Sequence, residues 1–355
     1  MRKLKSLSAV LCKSKLELFA FPFIIVIFLL SCNTTEPIDN TKPGRRDYVW
    51  TVDTLQGINN PRGRMWGSSP TDIWATTESN WDVSISHFNG EKWSSYGYPG
   101  IVVPWAIYGF SNTSAFIGEA ERGQIWKYNG NNWTKFAELN KDGHNDIVIE
   151  NIWGQSENDF YAFGAYPDQY GYNNSVIAHF LNGNWTMLNT NGLYGIVEQF
   201  YQNLLDKKKY LYLNGGTNYT DSTKIYELIN GEYKLLYENI WTKGLQADIS
   251  LINNEVIFVM GSQIARRVNN QFQTILNVNN SNFYQRIWGR NSKDIFLLMT
   301  DGLAHYNGTN VEYLFYFNRT PRTQIYGAAL FEKDVFFLVD EAPSGLSLVY
   351  HGKLK

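Results

Sequence analysis

Thiols are almost missing from this chain of 355 residues: Cys12 and Cys32 are the only two, and both lie in the first 32 positions. Charge is sparse as well, at 18% of residues with a formal net charge of −2. The single basic run is Lys207-Lys208-Lys209. It precedes the strand-like "YLYLNGG" and reads as a solvated strand start, so no nucleic-acid footprint is present. No stretch combines sustained helical periodicity with caps, which argues against a helical bundle. The longest apolar run, residues 19–30, has 12 residues, whereas a bilayer core of about 30 Å needs about 20. No Ser-His-Asp elbow, HExxH pair or phosphate-binding glycine loop occurs. Aromatic residues, by contrast, make up 16% of the chain, with 29 glycines. This composition suits short strands joined by tight turns.

The N-terminus supplies an address. Arg2, Lys3, Lys5, Lys13 and Lys15 form a basic region ahead of the apolar run, which ends in "LLSC". Short and basic-flanked, this segment fits a signal peptide rather than a membrane span. "LLSC" resembles the lipobox of bacterial lipoproteins, with Leu29 three before the cysteine and small Ser31 next to it. The resemblance implies cleavage after residue 31, lipidation of Cys32 and a membrane anchor. Asn33 after the cysteine leans towards the outer membrane on the same resemblance. Removing residues 1–31 takes five of the 31 basic and one of the 33 acidic residues, leaving a net charge of −6. Residues 33–47, "NTTEPIDNTKPGRRD", are polar and contain Pro37 and Pro43, so residues 32–47 read as lipidated cysteine plus flexible tether.

Residues 48–355 repeat. Trp66-Gly67, Trp153-Gly154 and Trp288-Gly289 are each followed, six residues after the tryptophan, by an aspartate: Asp72, Asp159 and Asp294. Tyr108-Gly109 has Ser114 at the same spacing, and Tyr326-Gly327 has Asp334 at eight. A second block follows each: "SHFNGEKW", "KYNGNNW", "AHFLNGNW", "AHYNGTNV" and "VYHGKL". Two degenerate copies fill the interval from 183 to 288, making seven repeats with steps of 38 to 45. Each reads as four short strands, a to d. Asn-Gly between strand-like runs is a hairpin turn, because both residues tolerate positive φ. Four strands at this period predict one propeller blade. The seventh repeat stops after its third strand, and "YVWTVDTL" (48–55) supplies the missing strand d, its Trp50 matching Trp93 and Trp133. The expected fold is therefore an all-β, seven-bladed propeller of four-stranded antiparallel blades, closed by the N-terminal strand. The residues resemble bacterial extracytoplasmic propellers with kelch-like "IWGSSPxDVWA" repeats. That resemblance implies the fold over residues 48–355 and no specific activity.

Repetition also sorts the candidate site residues. Asp72, Asp159, Asp294 and Asp334 recur at one blade position, so they lie around the ring and are expected to tie the a–b turn through backbone N–H groups. His87, His179 and His305 recur likewise and read as strand-c surface positions. The tryptophans and tyrosines of strand a are expected to pack between blades. Function is sought where the sequence does not repeat, in the b–c and d–a connections that open on one face. Candidate ligand-binding residues there are Trp81, Tyr98, Glu119, Arg122, Tyr166, Asp168, Tyr170, Tyr172, Arg319 and Arg322, with 164–175 as the longest b–c loop. Aromatics flanked by Asp, Asn and Arg suit a glycan or a peptide. The expected function is a lipid-anchored binding module of the cell envelope, monomeric, with no cofactor, metal or nucleic-acid partner. The alternative is a carbohydrate-active enzyme with Glu119, Glu121 and Asp168 converging on the channel mouth.

Overall fold

The computed structural model describes residues 42–56, 63–77, 81–215, 222–240, 244–318, 323–341 and 344–355. Cys32, Arg319 and Arg322 fall outside these residues. Seven four-stranded antiparallel sheets form the blades, each ordered a-b-c-d. Blades 1 to 6 span residues 65–96, 104–138, 148–187, 196–240, 247–277 and 283–316. Blade 7 takes strands a to c from Thr323–Leu330, Asp334–Glu341 and Leu346–Leu354, and strand d from Tyr48–Thr54. Tyr48 pairs with Leu354 and Thr54 with Leu348, so the ring closes through the N-terminal strand as the repeat arithmetic expects.

The c–d turns explain the repeated asparagines. Asn182-Gly183, Asn230-Gly231 and Asn269-Asn270 hold two successive positive φ angles, the backbone of a tight I′ hairpin. In blades 1, 2 and 6 the turn is longer. There Asn89, Asn129 and Asn307 each accept two backbone N–H groups through the side-chain oxygen.

Each blade interface holds one apolar cluster, seven in all among the described residues. Between blades 2 and 3, for example, fully buried Phe116 and Phe160 lie with ring centroids 4.8 Å apart. Burying such a side chain contributes about 1.5–3 kcal/mol. The strand-a glycines belong to this packing. A Cβ on Gly109 would sit 2.5 Å from the Trp66 ring of the preceding blade, and one on Gly67 would meet Phe331 at 3.0 Å. Between blades 1 and 2 the strand-a glycine is thus the hollow that receives the strand-a ring of the preceding blade.

Candidate functional site

Strand a lines the central channel, a cavity of about 300 Å³. Towards the narrow-turn end it is walled by Trp66, Tyr108, Trp153, Trp288 and Tyr326. Towards the loop end lies a ring of charge. Arg64 pairs with Glu150, and Arg286 pairs with Asp248 at 3.0 Å and with Glu198 at 3.1 Å. Glu150 and Glu198 each sit at a break of register in strand a, between Ile149 and Asn151 and between Val197 and Gln199. Such a bulge inserts one residue and re-aims its side chain, here onto Arg64 and Arg286, which line the channel. Burial pushes the Glu150 carboxyl up to about 7, against the pull of Arg64, and the Asp248 carboxyl up to about 6, against Arg286. Sequence reasoning missed all five residues. The available signal was weak: Arg two residues before the aromatic anchor in blades 1 and 6 and Glu three before it in blades 3 and 4, with nothing to mark Asp248.

The recurring aspartates prove to be partners of the recurring histidines. Asp72 pairs with His87 at 2.7 Å, Asp159 with His179 at 2.8 Å, Asp294 with His305 at 2.7 Å and Asp334 with His351 at 2.8 Å. The a–b turns are closed instead by Ser69, Ser111, Ser156 and Asn291, whose side chains accept the backbone N–H two residues on. Of the histidines, His305 is fully buried, while His87, His179 and His351 are half-buried, His87 stacking on Trp74 with centroids 4.0 Å apart. Burial raises the Asp294 carboxyl, but hydrogen bonds from His305 and Arg290 outweigh it and hold it below the usual carboxylate range. Two of the blades lacking the pair rebuild it. In blade 2, Ser114 and Lys127 both bond Glu157 of the next blade, at 2.8 and 3.1 Å. In blade 4 the charges are exchanged, with Lys208 and Glu227 3.7 Å apart. These pairs are structural fixtures of the ring.

The loop candidates separate when placed in the structure. Glu119 is buried at the end of a strand, its Oε1 accepting the N–H of Val102 at 2.9 Å, and burial raises its carboxyl. Neither it nor Glu121 or Asp168 lines the channel, whose wall carries Asp248, with Glu150 and Glu198 paired to the wall residues Arg64 and Arg286. Tyr98 is part of the packing, edge-on to Trp126 at 6.3 Å. Trp81 is 58% exposed, and Arg122 is exposed too. The segment 164–175 is not an irregular loop. Strands Asp159–Asp168 and Gly171–Leu181 continue as one hairpin arm, with Tyr166 opposite Asn174. Asp168 closes its tip by accepting the N–H of Tyr170 at 2.7 Å and the Asn173 amide at 3.2 Å. Tyr170 stands exposed there, while Tyr172 is half-buried, its hydroxyl raised by burial and by nearby Glu121 and Asp146.

Beside this arm lies a groove of about 200 Å³, walled by Lys141, Asp142, Tyr166, Asn174, Asn191 and Tyr194 among others. His144 stacks on Tyr166 at 4.6 Å, and the Tyr166 hydroxyl donates to Asp142 at 2.9 Å. Among the described residues no three His, Cys, Asp or Glu side chains are grouped to hold a metal ion.

No family model matches the chain, and no curated protein matches it either. The fold itself has many solved counterparts. Virginiamycin B lyase from Staphylococcus aureus superposes with a TM-score of 0.64 at 11% identity, covering 87% of this chain and all of that one. YCF48 bound to D1 peptide gives 0.58 at 12% identity, covering 88% and 98%. The WD40 propeller domain of Doa1 gives 0.57 at 10% identity, covering 86% and 97%. At these identities the likeness defines the class, a seven-bladed β-propeller. No particular member of that class is thereby assigned.

Proposed function

We propose that the protein is a lipid-anchored binding module of the cell envelope that takes a protein or glycan partner on its loop face. The observation that carries this reading is the unequal chemistry of the two faces. The narrow-turn face is built from repeated Asn-Gly turns, and the N-terminal chain lies on it. Gly44 donates to the Lys293 carbonyl at 2.9 Å, and Arg46 bonds the His305 carbonyl and Asn310 Oδ1, each at 2.9 Å. The described chain thus enters the ring on that face, and a tether to a lipid at Cys32 would start from there. The opposite face carries what does not repeat: exposed Trp81, Tyr170 and Tyr194, the hairpin arm and its groove. Variable side chains on a rigid ring are where propellers and other scaffolds place recognition.

Trimming residues 166–173 to a short turn tests the reading. Binding to a glycan array or to envelope proteins is expected to fall while the circular dichroism of the ring persists; unchanged binding would overturn it. One observation favours the enzymatic alternative: a carboxyl at about 7, Glu150, has the value an acid–base catalyst needs at neutral pH. Its partnership with Arg64 weighs against release to a substrate.

A further inference from the structure

We propose that the groove beside the blade-3 arm is a subsite for a neutral, hydroxyl-bearing sugar ring. This rests on the binding-module reading and names the ligand class. The groove is built before any ligand arrives. The turn at 141–146 is closed by reciprocal backbone bonds between Lys141 and His144 at 3.0 and 2.9 Å. The Lys141 ammonium crosses to the Ser175 carbonyl at 3.2 Å and to the Thr190 hydroxyl, joining both flanking connections to the arm. Ser175 Oγ donates to the Gly195 carbonyl at 2.7 Å, which fixes the third wall. A wall already ordered loses little conformational entropy on binding.

The chemistry of the lining selects against charge. Lys141, which donates to two oxygens, and Asp142, which accepts the Tyr166 hydroxyl, are adjacent opposite charges that offset each other, so the lining has no net charge for an ion to meet. The uncharged groups offered to a ligand are two carboxamides, Asn174 and Asn191, and the exposed ring of Tyr194. Each carboxamide offers two donors and an acceptor, which matches adjacent sugar hydroxyls. The tyrosine supplies an apolar platform with a polar tip, suited to the C–H face of a pyranose. The volume is below the roughly 300–1,000 Å³ of sites for drug-sized ligands and fits one ring of a longer glycan.

A peptide added as a strand is the competing ligand, and the backbone argues against it. The free edge of the arm at this point is already used: Gly195 N–H donates to the Asn173 carbonyl at 2.7 Å, and Tyr194 bridges Asn174. Strand addition needs an unpaired edge.

The test uses the purified full-length chain in detergent and saturation-transfer NMR with maltose, cellobiose and chitobiose, and with glucuronate and glucosamine as charged probes. At least one neutral disaccharide is expected to bind. Tyr194→Ala is expected to weaken it about tenfold, about 1.4 kcal/mol, and exposed Asn191→Ala to weaken it without touching the fold. Tyr316→Ala, exposed on blade 6, should leave binding unchanged. The proposal is overturned if no neutral disaccharide binds, if charged probes bind better, or if neither groove variant changes affinity. Saccharide failure with a protein partner still held by the loop face removes the subsite alone. Full binding by the hairpin-trimmed protein removes the module reading as well.

Discussion

Replacing Arg286 with leucine puts the buried charge ring to a quantitative test. The arginine belongs to blade 6 and holds Asp248 of blade 5 at 3.0 Å and Glu198 of blade 4 at 3.1 Å. Its side chain is 10% exposed, and that of Asp248 is 3% exposed. Leucine leaves two buried carboxylates without their counter-charge. Breaking one buried pair costs about 3–5 kcal/mol, and two acceptors share this donor, so a loss of about 5 kcal/mol is expected at pH 7.5. The Asp248 carboxyl can escape the cost by taking up a proton. Burial already raises Asp248 to about 6, and losing Arg286 raises it further. Unfolded carboxyls titrate near 4. A folded value above the unfolded one gives stability that is complete below about pH 4 and lost as pH rises through the folded value. The deficit of the variant is therefore small near pH 4.5 and full at pH 7.5. Guanidinium chloride unfolding at the two pH values reads this directly. Adding Glu198→Gln and Asp248→Asn to the leucine variant should restore most of the loss at pH 7.5. A deficit equal at both pH values, or below about 1 kcal/mol at pH 7.5, would refute the reasoning.

Three further outcomes are expected. Glu150→Gln should flatten the stability that the wild type loses between about pH 5 and 7.5. The folded carboxyl near 7 lies above its unfolded value, and that difference is worth about 3 kcal/mol; paired denaturation curves check it. Deleting residues 48–54 removes strand d of blade 7 and with it Trp50, which packs edge-on to Phe315 at 4.8 Å. The ring should lose cooperative unfolding, and an unchanged melting temperature would contradict the closure. Cys32→Ser should abolish metabolic labelling with fatty acid and release the protein from the membrane fraction; retained label would remove the lipid anchor from the account.

The sequence made the ring legible and left its charges hidden, for physical reasons. Trp66-Gly67 and its counterparts recur in blades 2, 3, 6 and 7 because the backbone there lies against a neighbouring strand or side chain with no room for a Cβ. Asn-Gly repeats because the hairpin backbone demands positive φ. The Asp–His pairing could not be read as a motif, since its separation runs from 11 residues in blade 6 to 20 in blade 3 with the length of the b–c connection. Glu150 and Glu198 sit at bulges, which no periodic pattern marks, and Arg64 meets Glu150 across 86 residues of sequence. The arm at 164–175 was masked by Pro167 and Gly171, which read as loop residues. Its strands persist because Tyr166 pairs with Asn174 and Asp168 closes the tip.

The central claim is that one face of the ring recognises and the other does not. A single glycan and envelope-protein array, read with three proteins, tests it most directly. These are the wild type, a loop-face variant with Trp81, Tyr170 and Tyr194 changed to alanine, and a narrow-turn variant with exposed Glu91, Asn131 and Asn184 changed to alanine. The account predicts that the loop-face variant loses the wild-type signal and that the narrow-turn variant keeps it. Loss confined to the narrow-turn variant, or equal binding by all three, would contradict it.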